Sequence, residues 1–356
     1  MVSLSETAYT IILVAVFAGT GASRILEETL YRMSANRLIV IPAYIAILGA
    51  GYFLLSLPLH FLGSYTLEHV FSLSKQKIGD WFLDQLKAGV ISFIIGLILA
   101  GVFYYCLSIS PHGWWILVSC FWVFFSVILA KVTPIVIIPL FYKSSKLTDE
   151  TLRSRIIALA GKMKVKILDV FEIDFSKKTL KANAAFVGVG NTRRVLLADT
   201  LKDKYSHDEI EAILAHEFAH YRLKHLLKIV FVNAAATIAI FYFLSVSSNF
   251  ALSLVGLYAL SDLAALPVIL LYFLMFGIIM QPLEAYISRG FERHADKMAI
   301  ETTGNPGAFI SMMEKLASQN LSDRSPHPVI KFFFFDHPPV DERVAMAEKY
   351  REGERA

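Results

Sequence analysis

The stretch Ser206–Val246, SHDEIEAILAHEFAHYRLKHLLKIVFVNAAATIAIFYFLSV, decides how the chain reads. Its first part reads as a helix from about Ser206 that carries His216-Glu217-Phe218-Ala219-His220. Its second part, from about 226, is an apolar run, and a bilayer span needs about 20 mostly apolar residues. Positions four apart on a helix share a face. His216 and His220 can therefore point at one cation while Glu217 projects beside them. A polar helix bearing two imidazoles thus ends just before a membrane span.

Composition agrees with a membrane protein. Of 356 residues, 56% are apolar and 18% charged, and mean hydropathy is +0.55. A soluble domain has about 45–50% apolar and about 25% charged residues. Disordered, collagenous, coiled-coil and small disulfide-stapled classes are excluded, and so is an ordinary soluble enzyme. The 34 Lys and Arg against 30 Asp and Glu give a formal charge of +4, too mild to imply nucleic acid as a partner. Cys106 and Cys120 both sit in apolar runs, which predicts neither a disulfide framework nor a cysteine metal site.

About six apolar runs follow along the chain, at roughly 7–22, 38–62, 88–109, 114–140, 226–246 and 263–282. The first lacks a basic leader and an A-x-A site, so it reads as an uncleaved span. The moderately apolar 247–261 reads as a re-entrant or interfacial link. The expected fold is mainly α: a polytopic transmembrane helical bundle with a small α+β cytoplasmic domain. Its expected division is 1–143 for N-terminal spans, 144–225 for an α+β segment, 226–282 for spans and 283–356 for a helical segment. Within the polar blocks the patterns predict a helix near 149–163 and strands at Lys166–Phe171, Ala185–Val189 and Arg194–Leu197. Further helices are expected at Pro306–Gln319 and Val340–Arg351.

Six spans put both polar blocks on one side, together with the loop 63–87 and its Lys75, Lys77 and Lys87. Opposite loops 110–112 and 247–261 carry no Lys or Arg, although 23–37 carries Arg24, Arg32 and Arg37. The positive-inside rule then assigns the polar blocks to the cytoplasm. That means the inner membrane of a prokaryotic cell, or the endoplasmic reticulum of a eukaryotic one.

Average residue frequencies yield HExxH by chance in roughly one chain in a hundred of this length, so a third ligand matters. Ser288-Arg289-Gly290-Phe291-Glu292-Arg293-His294-Ala295-Asp296 offers one. Glu292 and Asp296 stand four apart. One can bind a metal while the other accepts a hydrogen bond from a ligand histidine and fixes its tautomer. His294 competes, but points about half a turn from Glu292. Two imidazoles and a carboxylate suit zinc, which in catalytic sites keeps one position open for a water acidified to about pKa 7. Glu217 would take that water's proton and later deliver it to a leaving amine. His225, nine residues from His216, falls on the opposite face of a continuous helix and reads as structural or interfacial. Lys131 lies inside the fourth run; an intramembrane charge is a functional candidate, and the plainer reading is that it snorkels or lines a wet cavity. His69, His112 and His207 read as solvated.

HEFAH, SRGFERHAD and the placement of apolar runs resemble the integral-membrane zinc proteases of the CAAX prenyl protease type 1 family, which are gluzincins. Leu67–Ser74 with Trp81, Asp84 and Lys87 resembles that family's segment after its early spans. Pro134–Lys143 resembles its proline-punctuated span end, and Lys181-Ala182-Asn183-Ala184-Ala185-Phe186 with Arg194–Leu201 its active-site strand. Asp336-His337-Pro338-Pro339 with Glu342-Arg343 resembles its HP element. The match runs from about 65 to 345.

The resemblance implies one zinc ion held by His216, His220 and Glu292, with Glu217 as general base and acid and Asp296 behind a ligand histidine. Asn183 and Ala184 would line an edge strand that pairs with the substrate backbone. His337 would stabilise the oxyanion, and Arg289 would order the site or contact substrate. The implied partners are the lipid bilayer and a peptide or protein, prenylated or membrane-associated. Bacterial-type membrane-protein quality control is the competing reading. A site-2-type intramembrane protease fits worse, because HEFAH ends before the run at 226–246. A transporter or silent scaffold would have no use for Glu217.

Overall fold

The computed structural model describes residues 2–188 and 193–353. In chain order the first helices are α1 (Val2–Gly19), α2 (Ala22–Met33), α3 (Arg37–Phe61), α4 (Leu67–Val70), α5 (Ile78–Ile109), α6 (Trp114–Val132) and α7 (Ile138–Phe141). Strand β1 (Ser144–Lys146), helix α8 (Glu150–Lys162) and strands β2 (Val170–Ile173), β3 (Ala184–Val187) and β4 (Arg194–Ala198) follow. The rest is α9 (Asp199–Lys202), α10 (His207–Arg222), α11 (His225–Ser253), α12 (Leu266–Thr303), α13 (Pro306–Gln319), α14 (Pro328–Phe334) and α15 (Val340–Arg351).

Among the described residues, five helical stretches are long and apolar enough to cross a membrane: Arg37–Val70, Ile78–Ile109, Trp114–Phe141, His225–Ser253 and Leu263–Thr303. A sixth span exists if α1 and α2, bent by 59° at their junction, are taken together. The expected mainly helical, multi-span fold is therefore borne out, and the first apolar run is the first arm of that bent pair. A π-helical turn at Thr133–Ile137 joins α6 to α7, where Pro134 and Pro139 cannot donate the usual backbone hydrogen bond. Lys131 sits exposed in the last turn of α6.

The stretch expected as a link, 247–261, is shortened at its start: only 254–261 lie outside helix. Helix α11 continues to Ser253, because its serines satisfy themselves against the preceding turn: Ser247 Oγ donates to Phe243 O at 2.6 Å and Ser253 Oγ to Phe250 O at 2.7 Å. Hydroxyls bonded in this way do not end a helix. The chain turns only at Gly256, whose φ is +70°, a region glycine enters without strain.

The chain divides into two compact units. One takes residues up to Val70, Lys77–Val127 and Phe231–Ile279. Its core is aromatic and aliphatic, with Tyr44, Trp114, Val118, Phe241, Leu244 and Leu252 buried. Glu27 accepts from Leu263 N at 2.9 Å and Ala264 N at 3.0 Å, closing the donors at the start of the 3-10 turn that precedes α12.

The other unit takes Phe71–Gln76, Ile128–Val230 and Met280 onward. Its sheet has the order β1-β2-β4-β3. Strands β2 and β4 run parallel, while β1 and β3 lie antiparallel on the two edges. β3 pairs Ala184 with Leu197 and Val187 with Arg194, which leaves its other edge without a strand partner among the described residues. The segment 71–76 docks beside the approach to β3: Leu180 N donates to Leu73 O at 2.8 Å and Ser74 Oγ to Lys178 O at 2.6 Å. Leu152, Ile156, Val170, Leu197, Ile210, Leu214, Phe218 and Phe309 form the core.

Local expectations hold unevenly. The helices at 149–163, 306–319 and 340–351 stand where the pattern puts them, and β4 gains Ala198. The run expected as Lys166–Phe171 pairs only from Val170 to Ile173, because register with Val195–Ala198 of β4 sets its limits. Of the expected strand Ala185–Val189, β3 covers Ala184–Val187, and Val189 lies outside the described residues. β1 and α14 carried too few residues to register as patterns.

Candidate metal centre

Helix α10 owes its start to a capping box. Glu209 N donates to Ser206 Oγ at 3.3 Å, and Ser206 N donates to Glu209 Oε2 at 2.7 Å. The Glu209 carboxylate also accepts from Ser311 Oγ at 2.6 Å and Lys315 Nζ at 2.7 Å, which pins α10 against α13. Ile210, Ile213, Leu214 and Phe218 bury one face. The helix stops after Arg222, where Lys224 takes a left-handed φ of +57°.

His216 and His220 project from α10 toward Glu292 of α12. The two Nε2 atoms stand 3.0 Å apart. His216 Nε2 lies 3.2 Å from Glu292 Oε2, and His220 Nε2 lies 3.2 Å from Glu292 Oε1. Among the described residues these three form the one group of His, Cys, Asp or Glu whose ligand atoms converge, all within 4.8 Å of one another. Tetrahedral zinc with bonds of about 2.0–2.2 Å spaces its ligand atoms about 3.3–3.6 Å apart, close to these separations. Glu292 is 5% exposed, and its Oε2 is buried with no hydrogen-bond donor. A buried carboxylate oxygen left this way is costly unless a cation meets it. The donor set and its orphaned oxygen fit a divalent ion.

Asp296, fully buried, lies behind the site. Its Oδ1 stands 2.8 Å from His216 Nδ1, an ion-pair distance without the alignment of a formed hydrogen bond. Arg343 of α15 grips the same carboxylate with two bonds, Nε to Oδ2 at 2.8 Å and Nη2 to Oδ1 at 2.5 Å. Burial alone would lower the His216 pKa, but Asp296 and Glu292 lift it to about 9. Burial raises the Glu217 carboxyl above the ordinary range, against the pull of the neighbouring imidazoles. A proton-accepting group needs a pKa moved toward neutrality, and burial moves Glu217 in that direction.

These side chains border a cleft of about 440 Å³ within this unit. Glu217, His216, His337 and Arg343 line one part of it, and Asn183 and Ala184 at the head of β3 line another. Ile213, Met312, Met313 and Leu316 give it an apolar wall. His337 is half exposed, with Nε2 3.5 Å from Glu292 Oε2 and Nδ1 2.8 Å from Asp336 Oδ1. The Asp336 contact raises the His337 pKa. Asn183 gives its carbonyl to Ala198 N at 3.0 Å, and Asn320 brackets Ala182.

Arg289 lies elsewhere. It is buried, and its Nη1 donates to Lys331 O at 2.9 Å and Phe335 O at 2.6 Å. It therefore closes the carbonyl end of α14, just before Asp336-His337. His294 is exposed, its Nδ1 is 2.7 Å from Gly290 O, and it is not part of the converging group.

Residues 146–351 match the sequence pattern of peptidase family M48. The chain belongs to this family. Residues 1–143 match a second pattern, described as the CAAX prenyl protease N-terminal region with five membrane helices. The chain is 30% identical over 334 residues to the uncharacterized metalloprotease YhfN of Bacillus subtilis, spanning 93% of this chain and 78% of that protein. It is 28% identical over 325 residues to CAAX prenyl protease 1 of Saccharomyces cerevisiae, spanning 86% and 71%. The crystal structure of S. mikatae Ste24p superposes with a TM-score of 0.80 at 24% identity, over 87% of this chain and 76% of that one. That likeness shows the fold. The M48 chain is thus a multi-pass membrane metalloprotease related to the CAAX prenyl proteases, as its motifs led one to expect.

Two side chains at this centre were not given a role by the sequence. Arg343 was visible only as part of the HP element. The signal was its place in the first turn of α15 beside Asp341 and Glu342, where the helix dipole favours acids. An arginine there needs a carboxylate partner. A continuous helix would carry His225 to the face opposite His216. Lys224 breaks that helix without a glycine to announce it, and His225 turns back onto the site.

Proposed function

We propose that this M48 chain is a zinc endopeptidase in which His216, His220 and Glu292 hold the ion and Glu217 is the general base and acid. The observation that carries the reading is the convergence of those three ligand atoms from two helices, with Glu217 on the same face of α10 at the cleft. When bound, the ion supplies Lewis-acid polarisation of the scissile carbonyl and acidifies water beside it. Glu217 accepts a proton from the attacking water and delivers it to the leaving amine. Asp296, held by Arg343, fixes the His216 ring. His337 Nε2 donates to the carbonyl oxygen as it gathers negative charge, and Asp336 keeps that ring's orientation. The open edge of β3 at Asn183 and Ala184 pairs with an extended substrate backbone, and Arg289 steadies the turn that presents His337.

Segments 144–225 and 283–356 together form the catalytic part of this assignment, and 1–143 with 226–282 the membrane spans. The lysines of the loop 63–87 support a cytoplasmic active site. The name of the yeast relative, CAAX prenyl protease 1, supports a prenylated protein as substrate, and neither that name nor the name of the Bacillus relative supports quality control.

A panel of farnesylated and unmodified peptides, incubated with the purified enzyme with and without chelator, tests this reading. Chelator-sensitive cleavage favouring the farnesylated set is expected, and Glu217→Gln should keep its metal yet lose turnover. Cleavage that survives in Glu217→Gln refutes the mechanism. Equal cleavage of both peptide sets refutes the substrate class.

A further inference from the structure

His225 stands directly behind His220, on the Nδ1 side of that ring, where no carboxylate approaches among the described residues. Its Nδ1 lies 3.1 Å from His220 Nδ1, and the side chain is buried, 2% exposed. Its ring stacks on Phe291 with centroids 4.5 Å apart and planes 14° apart. Phe291 immediately precedes Glu292, so one imidazole touches both ligand-bearing helices. The left-handed residue Lys224, tied by its N–H to Tyr221 O at 3.0 Å, is what turns His225 back over the end of α10.

We infer that His225 is a positioning residue that accepts the Nδ1 proton of His220 and thereby fixes His220 as an Nε2 ligand. Two facing Nδ1 atoms 3.1 Å apart can bond only if one ring carries the proton and the other offers its lone pair. His220 Nε2 points at Glu292 and His216, and a metal bound there needs the Nε2 lone pair. The neutral His220 ring must then carry its proton on Nδ1, so His225 Nδ1 is the acceptor and His225 holds its own proton on Nε2. The stack on Phe291 keeps the acceptor from rotating away. Ligand histidines characteristically donate their second N–H to such an acceptor, and removing it lowers metal affinity. At His216 the Asp296 carboxylate stands 2.8 Å from Nδ1, and at His220 a neutral ring takes that place. The centre therefore gains orientation at both histidines while only one carboxylate backs it.

The inference rests on His220 being a metal ligand, and the experiment separates the two claims. Zinc affinity of the full-length, detergent-solubilised protein is measured by chelator competition for the parent and for His225→Phe, His225→Asn and His220→Ala. Phenylalanine keeps the ring stack and removes the acceptor. Asparagine places Oδ1 near the position of Nδ1 and restores it. Loss of the acceptor should weaken zinc Kd by about 10–100-fold in His225→Phe, with His225→Asn close to the parent. Parental affinity in His225→Phe overturns the inference, and so does an Asn variant that falls as far as the Phe variant, since packing alone would then explain the loss. If the Phe variant fails to fold, His225→Leu, which also removes the acceptor, takes its place against His225→Asn. Parental affinity in His220→Ala refutes the ligand reading instead.

Discussion

Replacing Arg343 by methionine isolates what the buried ion pair behind the metal site contributes. The Arg343 side chain is 10% exposed and that of Asp296 is fully buried, and two charge-assisted bonds at 2.8 and 2.5 Å join them. Removing one partner of such a pair leaves an uncompensated buried charge and costs about 3–5 kcal/mol. For a cooperative unit of 150–250 residues each kcal/mol moves Tm by roughly 2–4 °C, so a fall of roughly 6–20 °C is expected. The exposed pair Arg324–Asp341, 47% and 52% exposed with Nε–Oδ1 at 2.9 Å, has similar geometry but sits in water. Such a pair contributes about 0–1 kcal/mol, and Arg324→Met is the matched control. The double variant Arg343→Met/Asp296→Asn removes both charges and should recover part of the loss, with a coupling of about 1–3 kcal/mol. Thermal unfolding in detergent for the parent, both single variants, the double variant and the control reads all of these. If Arg343→Met melts no lower than Arg324→Met, or if the two single losses simply add, the pair is not what holds Asp296 behind His216.

Glu292→Ala should purify with metal far below one equivalent, because two imidazoles remain of three ligands; full occupancy by elemental analysis would remove Glu292 from the centre. His337→Ala should lower kcat by about 100–1,000-fold, the range for losing one oxyanion donor, with metal retained; parental kcat rules that role out. Asp169 is held at about 2 by Arg153, whose Nε lies 2.8 Å from Oδ1, against the opposing effect of burial. Its folded pKa lies below the ordinary value of about 3.9. The stability it contributes is thus fully present above about pH 4 and disappears as pH falls toward 2. Asp169→Asn should melt below the parent at pH 7 and converge with it through that acid window; a gap independent of pH would show that the charge is not the cause.

The apolar runs and HExxH were legible because they depend on nothing beyond local chemistry. A membrane span is a length of apolar residues, and two imidazoles four apart share a helix face in any protein. The sequence by itself thus determined a mainly helical, multi-span chain with a metal-binding helix beside a span, and it proposed Glu292 and Asp296 by the same helical spacing. What it could not determine were relations between distant segments. Which of β3's edges stays open depends on β4 pairing with β2 on one side and β3 on the other. Arg343's importance depends on α15 bringing a guanidinium onto a carboxylate 47 residues away in sequence, and Arg289's place depends on where α14 ends. His225 failed for the complementary reason. Its partner is five residues away, but one backbone dihedral at Lys224 reverses its direction, and a lysine in the left-handed region leaves no mark in composition or periodicity. Only packing that compensates the strain of that conformation decides it, and packing belongs to the folded chain.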